Sequence, residues 1–238
     1  MEPKIREAQK QILGVFAKEA RGFALAGGTA LELYYLHHRF SADLDFFSPQ
    51  YDLAQIKHLI DAFRKHAHQE IRLESELSVG EKARVRFYTM PVKGSRRPLK
   101  IDFVEDVLFK NPVIRRKGGV PVYSAENIYL QKIAAIAGAQ PVPDEIGREI
   151  TEGRHEARDV FDLYMLSRKA QPLHRFLKRA PVPWQKGIVH WYRTFSRQEV
   201  KLALMELDIY DPQFNSHQMI RYLENEIERF TQAVIETQ

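Results

Sequence analysis

Asp43 and Asp45 stand two residues apart in a run of apolar side chains, with Leu44 between them and Phe46 and Phe47 after. On a strand, positions i and i+2 project to the same face, so the two carboxylates point together while Leu44 and Phe46 face the core. Two like charges that close repel, and a divalent cation is the usual means of offsetting the cost. A third acid, Asp102, lies in a second apolar run, Ile101-Asp102-Phe103-Val104. If the two strands pair, three carboxylates converge. Oxygen-rich sites of that kind suit Mg²⁺, and a triad can hold two ions about 3.5–4 Å apart for in-line phosphoryl transfer.

Upstream, Gly27, Gly28 and Thr29 follow the apolar run Phe23–Ala26. Glycine lets backbone approach a phosphate closely and accepts positive φ. A following helix offers free N–H groups and a positive dipole end to an anion. Thr29 can cap that helix or donate its hydroxyl to a phosphate. Arg39 and Ser41, just ahead of Asp43, can also reach phosphates, or simply serve the loop. A Gly-Gly pair alone fits any tight strand-to-helix turn. The specificity lies in the order: strand, Gly-Gly-Thr, helix, then Asp-x-Asp on the next strand.

The elements that must position these residues follow from periodicity. Residues 4–20 read as an amphipathic helix and 53–67 as another. Strands are expected at Phe23–Ala26, around Leu44–Phe47, and at about 70–79, 83–90 and 99–104, with a hairpin over 112–123. Thr29 to about His37 reads as helix. After Tyr123 the pattern turns helical: 125–138, about 154–169, 197–207 and 216–236, punctuated by Pro141, Pro143, Pro181 and Pro183. In the helix over 154–169, Arg154, Arg158 and Asp162 fall at i, i+4 and i+8, the spacing of a surface ion-pair ladder, with Asp159 on a different side.

The order of motifs resembles the nucleotidyltransferase superfamily of the DNA polymerase β type. Gly-Gly-Thr-Ala-Leu at 27–31 and His-Arg-Phe-Ser-Ala-Asp-Leu-Asp-Phe-Phe at 38–47 resemble its AbiEii/AbiGii-like branch. The segments around Lys132 and from Arg154 to Tyr164 resemble that family's lysine-bearing helix and its basic-then-Asp helix. The likeness runs over about residues 22–168. It implies an α+β fold, with a mixed-sheet catalytic domain over 1–123 and an all-helical domain over 124–238 that completes the active-site cleft. It implies Asp43, Asp45 and Asp102 as catalytic metal ligands for Mg²⁺, two ions in number. Gly27, Gly28 and Thr29 would hold the triphosphate of an NTP. Lys132 would contact phosphates, and Asp159 would complete the site. The family implies transfer of a nucleotide from an NTP to RNA, with tRNA 3′ ends as known targets, and a cognate antitoxin as partner.

Composition constrains the rest. The chain has 238 residues and no cysteine, which excludes disulfides, cysteine-ligated metals and a cysteine nucleophile. No apolar run approaches the ~20 residues that span a bilayer, and the start of the chain is charged and amphipathic, so a cytoplasmic protein without membrane partners is expected. Charge is uneven: residues 1–120 hold 21 Lys and Arg against 15 Asp and Glu, and residues 121–238 hold 15 against 16. The densest stretch, 82–100, carries Lys82, Arg84, Arg86, Lys93, Arg96, Arg97 and Lys100 with no acid. A polyanionic partner such as RNA follows from that excess. Nucleotidyl transfer to a protein or small molecule, and a non-catalytic nucleotide- or RNA-binding module, are the alternatives to be distinguished.

Overall fold

The computed structural model describes residues 2–78, 83–138, 141–143, 149–151, 153–154 and 156–236. Lys82, part of the basic stretch, lies outside the described residues. The chain divides into two compact units. The first comprises Met1–Tyr35 and Phe40–Asn127, and the second Leu36–Arg39 and Ile128–Gln238.

The first unit is built on a seven-stranded mixed sheet, in the order β3-β4-β5-β2-β1-β7-β6. Its strands are β1 (Ala24–Ala26), β2 (Leu44–Ser48), β3 (Arg72–Leu77), β4 (Val85–Met90), β5 (Leu99–Glu105), β6 (Ile114–Lys117) and β7 (Val120–Tyr123). The central pairs decide the placement of the acids. β1 runs antiparallel to β2, and β2 runs parallel to β5. Leu44 and Phe46 of β2, and Ile101 and Phe103 of β5, are fully buried. The alternate residues are only partly covered, as the two-residue period of a strand requires.

Two helices cover the buried face. Helix α1 (Pro3–Glu19) starts on Pro3, whose fixed φ and missing N–H suit a first turn. It buries Ile5, Ile12 and Phe16, and Phe16 stacks on Phe46 with centroids 4.0 Å apart. Helix α3 (Leu53–Ala67) is capped by Asp52, which accepts from Ala54 N at 2.8 Å, and it ends on His68 in the left-handed region. Its Phe63 completes the aromatic core against Phe46. Between β1 and β2 the chain forms a short α2 (Gly27–Leu31), which passes into a π-helical turn over Glu32–Leu36. The single helix expected from Thr29 to His37 is therefore broken in character half-way.

The second unit is mainly helical: α4 (Ala125–Ala137, whose first turn belongs to the first unit), α5 (Ala157–Lys169), α6 (Leu173–Leu177), α7 (Val182–Thr194), α8 (Arg197–Leu204) and α9 (Ser216–Ile235). A two-stranded sheet, β8 (Pro141–Pro143) with β9 (Glu149–Thr151), is an addition that periodicity does not reveal. Helices α6 and α7 were not anticipated either. Pro181 and Pro183 look like breaks in the sequence, but they stand at the N-cap and first turn of α7, where a missing N–H costs nothing. Among the described residues, no helix is long and apolar enough to cross a membrane.

Candidate active site

In the first unit the register puts Asp45 directly beside Asp102, as Leu44 stands beside Ile101 and Phe46 beside Phe103. Both carboxylates lie on the sheet face away from the aromatic core, and both are half-buried. Phe87 of β4 is opposite Asp102 in the antiparallel ladder and shares that face, whereas Tyr88 turns into the core and meets Phe103 edge-on. Asp43 is one residue ahead of β2, not within it.

The loop that carries Asp43 is held by three side chains. Gln9 of α1, fully buried, donates its amide to the carbonyls of Ser41 and Ala42, each at 2.9 Å. Glu32 accepts from Ser41 N at 2.8 Å and is itself paired with Arg6. Thr29 donates its hydroxyl to the carbonyl of Asp43. Thr29 is fully buried, so here its hydroxyl fixes the loop. Gly27 has φ +68°, and a Cβ there would fall 3.2 Å from Asp45 Cγ. Only glycine fits between the turn and the carboxylate.

Three half-buried carboxylates from one strand and its neighbour are the donor chemistry of a hard divalent ion. The space that Gly27 leaves is taken by the Asp45 carboxylate itself. Among the described residues, no three His, Asp or Glu side chains are already drawn together as a cage.

The second unit contains a buried charge cluster. Lys132 of α4 places Nζ 2.5 Å from Asp159 Oδ1 and 2.7 Å from Asp162 Oδ2. Arg39 grips Asp162 with two parallel bonds, Nε to Oδ1 at 2.7 Å and Nη2 to Oδ2 at 2.8 Å. His38 Nε2 is 2.8 Å from the same Oδ1. All five side chains are more than nine-tenths buried. Burial works against every charge here, but pairing outweighs it. Lys132 is held above its ordinary pKa by the two carboxylates. Asp159 is lowered by Lys132 and Arg154, and Asp162 is driven well below the carboxylate range, by Arg39 first and then Lys132 and His38. Asp159 Oδ2 is buried without a hydrogen-bond partner among the described residues, and Arg154 Nη2 stands 3.7 Å from it.

This overturns the surface-ladder reading of α5. Arg154 precedes the helix, Arg158 approaches Glu156 at 3.8 Å, and Asp162 is fully buried on Arg39. Arg39 is likewise committed to Asp162. Ser41 is buried, with its backbone N–H and carbonyl bound to Glu32 and Gln9.

A family model for the nucleotidyl transferase AbiEii toxin of type IV toxin–antitoxin systems matches residues 12–183. The chain belongs to that family. This AbiEii-family protein is accordingly a nucleotidyltransferase. No curated protein matches it. Among solved structures it is similar to a candidate nucleotidyltransferase from H. pylori, at 17% identity and TM-score 0.61 over 100% of this chain and 99% of that one. It is also similar to JHP933 from Helicobacter pylori, at 16% identity and TM-score 0.58 over 98% and 94%. At those identities the likeness is one of fold.

The basic stretch of this AbiEii-family chain is less cationic in three dimensions than in sequence. Arg84 is gripped by Glu105 at 2.9 Å, Arg86 pairs with Glu76 at 3.0 Å, and Arg97 approaches Glu2 at 4.0 Å. Glu76 and Glu105 come from the neighbouring strands β3 and β5, and Glu2 from the start of the chain. Lys93, Arg96 and Lys100 are exposed. Gln9, Glu32 and His38 were not singled out as site residues by sequence. A glutamine on the apolar stripe of α1 was the available signal for the first.

Proposed function

We propose that this chain transfers a nucleoside monophosphate from an NTP to an RNA acceptor, with the 3′ end of a tRNA as that acceptor. The observation that carries the reading is the side-by-side register of Asp45 and Asp102 on the open face of the sheet, with Asp43 one residue ahead of it. Asp43, Asp45 and Asp102 would hold Mg²⁺, which when bound supplies charge neutralisation at the α-phosphate and a more acidic acceptor hydroxyl. The backbone of the Gly27-Gly28-Thr29 turn binds the triphosphate. The acceptor hydroxyl gives its proton to solvent and its oxygen bonds to the α-phosphorus as the bond from the α-phosphorus to the oxygen bridging the β-phosphate breaks, and pyrophosphate leaves. Lys132 and Asp159 serve the same reaction: Lys132 as a fixed cation toward phosphate, and Asp159 through the Oδ2 that has no hydrogen-bond partner among the described residues. Arg39 acts through Asp162 to orient Lys132, and Ser41 through its backbone to place Asp43. The protein works in the cytoplasm beside a cognate antitoxin.

The test is incubation with total tRNA, Mg²⁺ and each α-labelled NTP, beside Asp43→Asn. Label entering RNA with the wild type alone is the expected result. Label in no RNA while NTP still binds would move the acceptor to a protein or small molecule. Loss of NTP binding as well would leave a non-catalytic module. Neutralising Lys93, Arg96 and Arg97 should weaken RNA labelling and leave NTP binding intact.

A further inference from the structure

The helical unit concentrates cations at one cavity, although residues 121–238 as a whole carry one more acid than base. Helices α8 and α9 line a cavity of about 380 Å³, large enough for a phosphate with its sugar. Arg197, Lys201 and Arg221 line it together with one acid, Glu224, and His217. Three cations against one carboxylate make the cavity net positive.

The wall is organised. Arg197 lies over the rings of Tyr192 and Phe195, 5.0 and 5.1 Å from their centroids. That stacking fixes the guanidinium plane and leaves its edge N–H groups free of the rings. Lys201 Nζ is 3.3 Å from His217 Nδ1. An ammonium can only donate, so Nδ1 accepts, and the ring proton sits on Nε2 as a further donor. The α9 N-terminal amides do not supply the site, because Asn215 already caps His217 N and Gln218 N. Beneath Arg197 and Glu224 is the hydroxyl of Tyr192. That side chain is more than nine-tenths buried, and its hydroxyl meets no partner at hydrogen-bonding geometry among the described residues. Burial pushes its pKa up, with Arg197 and Glu224 acting on it in opposite directions.

We propose that the α8–α9 cavity binds a backbone phosphate of the RNA acceptor, with Arg197, Lys201 and Arg221 as its cationic contacts. The inference rests on the RNA reading above and adds a location for the acceptor's backbone. It differs from nucleotide binding at the Gly27 turn in both residues and ligand.

The experiment is binding of labelled total tRNA to the full chain across a series of KCl concentrations. Wild type is compared with Lys201→Ala/Arg221→Ala and with Arg221→Glu, each checked for an unchanged melting temperature. The double variant should bind about tenfold more weakly, and its log Kd–log salt slope should fall by about 0.7–0.9, the loss expected for one phosphate contact. Arg221→Glu should weaken binding further, and NTP binding should be unchanged in both. Equal affinity and slope in wild type and variants would overturn the cavity while leaving the RNA reading standing if the wild type still labels tRNA. Loss of NTP binding with RNA binding intact would also overturn it, since the cavity would then take free nucleotide. A wild type that neither binds nor labels tRNA would remove the RNA reading, and this inference with it.

Discussion

Gly27 and Asp45 are packed so closely that a side chain on the glycine would strike the carboxylate: the Cβ position falls 3.2 Å from Asp45 Cγ and nearer still to Oδ2. The glycine also has φ +68°, a region that costs an L-residue roughly 1–2 kcal/mol. Gly27→Ala should therefore lower the melting temperature and displace the Asp45 carboxylate. A displacement near 1 Å can cost about 100-fold in rate, and a loss of at least that order is expected in nucleotide transfer. Wild-type turnover in this variant would break the link between the turn and the acid.

The Asp45–Asp102 pair makes a prediction that needs no substrate. If these carboxylates bind Mg²⁺, the ion stabilises the folded chain by mass action, by about 2.7 kcal/mol at one hundred times its Kd. Thermal unfolding of the wild type should shift upward with added Mg²⁺. Asp45→Asn and Asp102→Asn should fold, lose that shift and lose activity together. A Mg²⁺ shift that survives in both would place the ion elsewhere.

Gln9 is far from any chemistry in sequence, yet it bonds two carbonyls of the loop ahead of Asp43. Gln9→Leu keeps the volume and removes both bonds, leaving the buried Ser41 carbonyl with only the longer Thr29 hydroxyl contact at 3.4 Å. Leaving a buried polar group unsatisfied costs roughly 1–3 kcal/mol. The variant should unfold at lower denaturant and show a lower kcat with little change in KM for NTP. Loss of stability with kcat intact would make Gln9 a packing residue only.

The sheet around the acids was legible because its signal is local. Leu44, Phe46, Ile101 and Phe103 alternate with Asp45 and Asp102, and a period of two can be read from a few residues. The Gly27 turn is marked by glycine itself. The role of Asp162 was not legible, because its partners, Arg39 and His38, lie more than 120 residues away. Its spacing from Arg154 and Arg158 suggested solvent, whereas nine of the 13 residues of α5 are buried. The acids that neutralise Arg84 and Arg86 are hidden for a different reason: they lie just outside the basic stretch, 21 and 10 residues from their partners, and only strand pairing brings them alongside. Sequence shows that 82–100 lacks acids, but not that Glu105 and Glu76 lie alongside in the sheet. For the π-helical turn at Glu32–Leu36 we find no sequence signal.

Asp162 allows the buried cluster to be tested by pH. Its folded pKa lies well below that of the unfolded chain, where an aspartate titrates near ~3.9. A carboxylate so depressed contributes its full stability above the unfolded value and loses it as pH falls through the folded one. Lys132 is raised, so its contribution holds below about 10.4 and is lost only as pH rises beyond that. Asp162→Asn leaves Arg39 and Lys132 buried without their shared anion, a change that costs about 3–5 kcal/mol. Urea unfolding should show that deficit at pH 7 and pH 5. As pH falls below about 3.9 the unfolded chain takes up a proton that folded Asp162 resists, so the deficit shrinks progressively and vanishes only once the folded carboxyl is protonated as well. Asp159 is also lowered and remains in both, so both weaken in acid, the wild type more steeply. A deficit of the same size at pH 7 and pH 2 would show that the charge of Asp162 is not what holds the cluster.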